Sequence, residues 1–199
     1  MVVFEVGFIG RRMIYEDLKT MLPGVRLMFA DDLSSALGKD LAILDYYVNY
    51  ECVGRCVKLD RDYDRVKVIT DVASAIIRLT GPGLVKVGLD YGSEHIGLAI
   101  AYDNTPLVGA TLSLAEFVAF VRLMKIKVHG IHVGDGFIRS GLTGIFTNLC
   151  RLAGYVGIVD ETEASQLREI IKERFGLMGD VVDAFSFTLM EPRLVVKCS

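Results

Sequence analysis

The segment Leu84–Ala101, L-V-K-V-G-L-D-Y-G-S-E-H-I-G-L-A-I-A, limits the fold of this chain more than any other stretch. Alternating apolar and β-branched residues predict a strand over 84–90 and a second from Ile96. A tight turn through Tyr91, Gly92 and Ser93 separates them, so the two strands are expected to pair as a hairpin. Gly92 suits the turn, and Gly97 permits another backbone to approach the second strand closely. Asp90 then closes the first strand at a sheet rim, the edge at which α/β proteins place ligands. Taken alone, an aspartate there also serves as an ordinary turn residue.

A length of 199 residues allows one or two domains. The chain is 52% apolar, and its mean hydropathy of +0.42 predicts a well-filled core and a buried subunit contact. No window offers the roughly 18 uninterrupted apolar residues of a membrane span, and V-V-F-E-V-G-F opens the chain without a basic leader, so a cytoplasmic protein is expected. A net charge of −3 excludes a general basic footprint for nucleic acid and leaves room only for a local patch. Cys52 and Cys56 have no second close pair beside them, and Cys150 and Cys198 lie far away. Buried free thiols in a reducing compartment are the expectation, ahead of a metal site.

The first eighty residues read as a small α/β unit. Strands are predicted over 2–9, 25–29, 41–44 and 66–69, with helices over 13–21 and from Asp31-Asp32 to Gly38. Asp71 is placed to cap a further helix ending before Gly81-Pro82-Gly83, which marks a boundary between domains 1–82 and 84–199. Gly7 and Gly10 lack the third glycine and the spacing of a nucleotide fingerprint. Tyr46, Tyr47 and Tyr50 read as a half-buried strand edge, with base stacking or a protein contact as the alternative. The mixed-sign run from Lys58 to Lys67 reads as a solvated loop.

The second part continues from the hairpin with a third strand over 106–111 and a helix over 114–124 opened by the capping-box pair Ser113 and Glu116. Strands over 127–133 and 155–159 follow, separated by a helix over 142–153. Thr162 is placed to cap a helix running to Phe175, and a last helix opens at Asp180 and Asp183 and ends near Pro192. Three apolar strands thus end in acids, at Asp90, Asp135 and Asp160-Glu161. Each acid has a simple role as a turn or cap residue. Delivered together to one rim they would repel, raise one another's pKa and favour a hard divalent cation, Mg²⁺ or Mn²⁺, able to support phosphodiester hydrolysis.

Four pieces, G-L-D-Y-G-S-E-H-I-G-L-A-I at 88–100, I-H-V-G-D-G at 131–136, G-I-V-D-E-T-E-A at 157–164 and V-V-D-A-F-S at 181–186, resemble the ribonuclease-H-like superfamily. The nearest branch is the Holliday-junction-resolvase-like one, which includes the RuvC and YqgF families, and the likeness covers about 84–192. It implies a ribonuclease-H-like mixed sheet with flanking helices, here preceded by the small α/β domain. It also implies catalytic carboxylates at Asp90, Glu161 and Asp183, with Asp135 and Asp180 as further ligands of Mg²⁺ or Mn²⁺. The implied activity is a divalent-metal-dependent nuclease acting on branched DNA or RNA, and the implied assembly is a homodimer. Two motifs depart from the family: Glu94-His95 stands where a basic pair is common, and Gly134-Asp135-Gly136 where Gly-Leu-Pro is common.

Lys125, Lys127 and Arg139 are the candidate backbone contacts. His95 reads as a surface strand histidine, and His129 and His132, three apart on a strand, should point to opposite faces. Two other functions compete with the nuclease. One is a non-catalytic interaction module that retains the fold. The other, suggested by D-Y-G-S, is an actin-like or sugar-kinase-like ATP-binding fragment, although no second phosphate-binding glycine loop follows.

Overall fold

The computed structural model describes residues 4–81, 85–92, 94–139 and 143–198. The chain builds a small parallel sheet and then a larger mixed one. In the first, β1 (Phe4–Ile9), β2 (Val25–Phe29), β3 (Leu41–Leu44) and β4 (Cys56–Lys58) lie in the order β2-β1-β3-β4, all parallel. Helices α1 (Arg12–Met21) and α2 (Leu33–Leu37) make the first two crossovers. Period-2 alternation assigns the faces: Val6 and Phe8 join the core with Ile14 and Leu18, while Gly7 lies against the Ala36 backbone of α2.

The predicted strand over 66–69 is instead part of α3 (Arg65–Thr80), capped by Asp64 accepting from the Lys67 amide at 3.1 Å. Asp71, expected as the cap, pairs one turn back with Lys67 at 2.7 Å. Burial explains the misreading: from Val66 to Ile77 nearly every residue is buried, so no polar stripe marks the helical period. α3 packs on β3 and β4 of the small sheet and on elements of the larger one, and one apolar cluster runs through both units. Gly81 ends α3 with φ 85°, while the remainder of the expected boundary, Pro82 and Gly83, lies outside the described residues.

The larger sheet has the order β10-β9-β8-β5-β6-β7. Strands β5 (Val85–Tyr91), β6 (His95–Tyr102) and β7 (Thr105–Ser113) form an antiparallel meander. β8 (Gly130–Gly134) and β9 (Tyr155–Val159) add parallel to β5, and β10 (Leu194–Lys197) closes the edge antiparallel to β9. The result is a mixed sheet, antiparallel from β5 to β7 and at β10 and parallel across β5, β8 and β9. The capping box of Ser113 and Glu116 opens α4 (Leu114–Leu123) as predicted. The short α5 (Gly136–Arg139) and α6 (Thr143–Leu152) follow. The single helix expected up to Phe175 is broken into α7 (Glu161–Ser165) and α8 (Arg168–Phe175), and the cap is Asp160 rather than Thr162. α9 (Asp180–Leu189) completes the set.

Alternation again separates the faces. Val87, Leu89, Leu98, Ile131 and Val133 join the core that includes Phe117 and Leu149 of α4 and α6. Gly88, Ala99 and Ala101 face α9, which closes over them with Val182 and Phe185. Among the described residues, no helix is long and apolar enough to cross a membrane.

The cysteines correct the sequence reading. Cys52 is bonded to Cys56 and Cys150 to Cys198, so the expectation of free thiols fails, and with it that argument for a reducing compartment. The sequence spacing could not show the second pair, because strand β10 is what returns Cys198 to α6.

Candidate functional site

Asp90 lies next to last in β5, on the face covered by α9. It is registered against Gly97 of β6. A Cβ at Gly97 would stand 2.8 Å from the Asp180 Cβ, so the absent side chain is what lets the first turn of α9 descend beside Asp90. Gly88, two residues back on the same face, meets the Ala184 backbone even more closely. Two glycines on adjacent strands therefore seat α9 and carry Asp180 and Asp183 to the rim that Asp90 occupies.

Glu161 arrives from the other side. It opens α7 directly after β9, and its Oε1 accepts a hydrogen bond from the Gly136 amide at 2.9 Å. A Cβ at Gly136 would lie 2.8 Å from that same oxygen, and Gly134 faces the same carboxylate. The glycines flanking Asp135 thus make room for the Glu161 carboxylate.

Electrostatics records the convergence. Burial first, and then the like charges of Asp183, Asp180 and Glu161, push the Asp90 carboxyl up to about 7, against the pull of Arg168. Burial also raises Asp183, which the Arg168 and Lys172 charges counter and Asp180 reinforces. Arg168 Nε lies 3.1 Å from Asp183 Oδ1, making it the nearest counter-charge of the group. Asp160 and Asp135 answer to another cation. Asp160 caps α7 through the Glu163 amide at 3.0 Å and pairs with Arg193, whose guanidinium also feels Asp135 and bonds Glu163 at 2.8 Å.

The structure thus brings Asp90, Asp180, Asp183 and Glu161 into electrostatic reach of one another and places Asp135 and Asp160 by Arg193. Carboxylate oxygens are the right donors for Mg²⁺ or Mn²⁺. Their placement does not complete a metal centre: among the described residues, no three acids, histidines or cysteines are grouped so as to hold an ion. Arg168 and Arg193 were missed in the sequence. Both belong to charged helical or terminal stretches, and nothing local distinguishes them from solvated surface.

The remaining candidates are dispersed. Lys125 follows α4 on the opposite sheet face, and Lys127 precedes β8, at the strand end away from the acids. The Arg139 side chain and Ser93 lie outside the described residues. His132 is buried and fully bonded, to the Phe187 carbonyl at 2.7 Å and the Tyr155 hydroxyl at 2.9 Å. His129 precedes the strand proper, so alternation does not govern it, and both imidazoles lie against the Tyr155 ring. Tyr46, Tyr47 and Tyr50 are exposed in the connection after β3 rather than on a strand edge. Their neighbour Asp45 is wholly buried and bonded by the Arg11 guanidinium at 2.8 and 3.0 Å, an anchor the sequence reading overlooked.

No protein-family model matches the chain, and no curated protein matches it. Among solved structures it is similar to T. thermophilus RuvC in complex with Holliday junction substrate, at 15% identity and a TM-score of 0.40, over 53% of this chain and 90% of that one. The fold described above rests on strand order and register.

Proposed function

We propose that the chain is a divalent-metal-dependent nuclease that hydrolyses phosphodiester bonds in structured DNA or RNA, with Asp90, Glu161 and Asp183 as its catalytic carboxylates and Asp135 and Asp180 as auxiliary ligands of Mg²⁺ or Mn²⁺. The observation that carries this reading is the elevation of Asp90 to about 7 by burial and three neighbouring acids. Perturbed carboxyls in such a cluster are characteristic of reactive sites. A phosphate backbone would add further negative charge here, so its approach requires a counter-charge, which Arg168 supplies in part. A homodimer belongs to the proposal, supported by Leu194, Val195 and Val196, which leave the edge strand β10 apolar and exposed.

A second reading, a non-catalytic interaction module, is favoured by the Arg168–Asp183 ion pair and by the Gly136 bond to Glu161, which already engage two of the three carboxylates. One experiment separates the two. Pure protein is incubated with branched DNA, single-stranded DNA, RNA and hybrids in Mg²⁺ or Mn²⁺. Metal-dependent cleavage that disappears in Asp90→Ala and in Asp183→Ala, with far-UV circular dichroism unchanged, supports the nuclease. No cleavage of any substrate in either ion supports the module.

A further inference from the structure

On the sheet face opposite the acids, the ends of α4 and α6 enclose an open cavity of about 550 Å³. Its apolar surface comes from Val118, Val121, Met124, Ile145 and Leu152. Its charged surface is of one sign: Arg122, Lys125 and Arg151 line it, and no acid does among the described residues. None of the three cations makes an ion pair with any described residue, although salt bridges engage Arg11, Arg12, Arg26, Arg65, Arg168 and Arg193 in a chain of net charge −3. Arg122 and Arg151 each occupy the last turn of a helix, where a cation is favourable. Two helix ends contribute roughly one elementary negative charge between them, which leaves the cavity with a positive surplus.

We propose that this cavity binds a small amphipathic organic anion, its apolar part against Val121, Ile145 and Leu152 and its anionic group among Arg122, Lys125 and Arg151. The volume falls within the range of roughly 300–1,000 Å³ typical of small-molecule sites. One-signed charge over low-dielectric walls concentrates counter-ions. Other occupants fit worse. A two-fold contact with a second copy would be isologous and would bring two sets of these cations together. A nucleic-acid base would find no aromatic ring to stack on, since none lines the cavity among the described residues.

The test is calorimetric titration of the full-length protein with decanoate, decanol and acetate. Saturable one-to-one binding of decanoate, at least tenfold tighter than decanol or acetate, is expected. The double variant Arg122→Gln/Arg151→Gln should weaken decanoate at least tenfold with its far-UV circular dichroism unchanged and only a small fall in melting temperature from the two lost helix-end charges, and Ile145→Trp should block binding by filling the cavity. Equal binding of decanol or of acetate, or undiminished binding by the charge variant, overturns the proposal. If the tryptophan variant does not fold, the charge variant decides alone. The nuclease reading stands or falls separately, because the acids lie on the other face of the sheet.

Discussion

Asp90 shows how a side chain is set by its neighbours rather than by its type. Its carboxyl is raised from the ordinary aspartate range to about 7, so the folded state binds a proton that the unfolded chain releases near pH 4. The stabilising contribution is therefore complete below pH 4 and is lost as pH rises toward 7 and beyond. Replacing Asp90 with Asn removes the titration and the repulsion from Asp183, Asp180 and Glu161. Chemical denaturation should find Asp90→Asn more stable than the parent by about 1–2 kcal/mol at pH 8, allowing for solvent screening. The difference should vanish near pH 4. An equal gain at both pH values would place the effect in packing instead. The sequence made Asp90 visible as the acid ending an apolar strand. Arg168, which moderates its charge, was invisible because it belongs to a charged helix that only the fold turns toward the site.

Among the elements, α9 depends most on residues outside itself. Its N-terminal turn has no side-chain cap, and it is held by contact with β5 and β6. Gly88 meets the Ala184 backbone where a methyl group has no room. Gly88→Ala should lift α9 from the sheet and cost about 1–3 kcal/mol, lowering the melting temperature by about 2–12 °C for a chain of this size. Gly144 in α6 meets no atom within 4 Å, so Gly144→Ala should leave the melting temperature unchanged or slightly raised. Similar losses from both substitutions would show that glycine content, not the close approach, is at issue. The hairpin of β5 and β6 was legible because alternation and turn residues agreed. α3 was not, because a helix buried nearly all round loses the polar stripe by which its period is recognised. β10 was missed as well, its three apolar residues being too few to announce a strand until β9 offers an edge.

Across the whole molecule, one apolar core joins the small sheet, α3 and the α4–α6 face of the larger sheet, and Cys150–Cys198 fastens the end of the chain to α6. That bond spans 48 residues, whereas Cys52–Cys56 spans 4. A crosslink of the longer kind restricts the unfolded chain by about 4 kcal/mol in the loop-entropy account. Thermal unfolding of Cys150→Ser/Cys198→Ser should therefore show a larger fall in melting temperature than Cys52→Ser/Cys56→Ser. A reductant should lower the parent toward the former. Equal effects from the two pairs would remove loop length as the cause.

By itself the sequence determined the local pieces: the order of apolar strands, the acids that end them, and the glycines that admit close contacts. These depend on alternation, turn chemistry and side-chain size, which operate over a few residues. The tertiary structure alone decided which acids share a charge field, which cations answer them and where the cysteines pair, because those relations are set by strand order and by α9 folding back over β5 and β6. Asp90, Glu161 and the pair Asp180 and Asp183 come from three places in the chain, and Asp135, equally prominent in the sequence, lies within the field of Arg193. Coulomb interactions follow distance in space, and only the completed sheet fixes that distance.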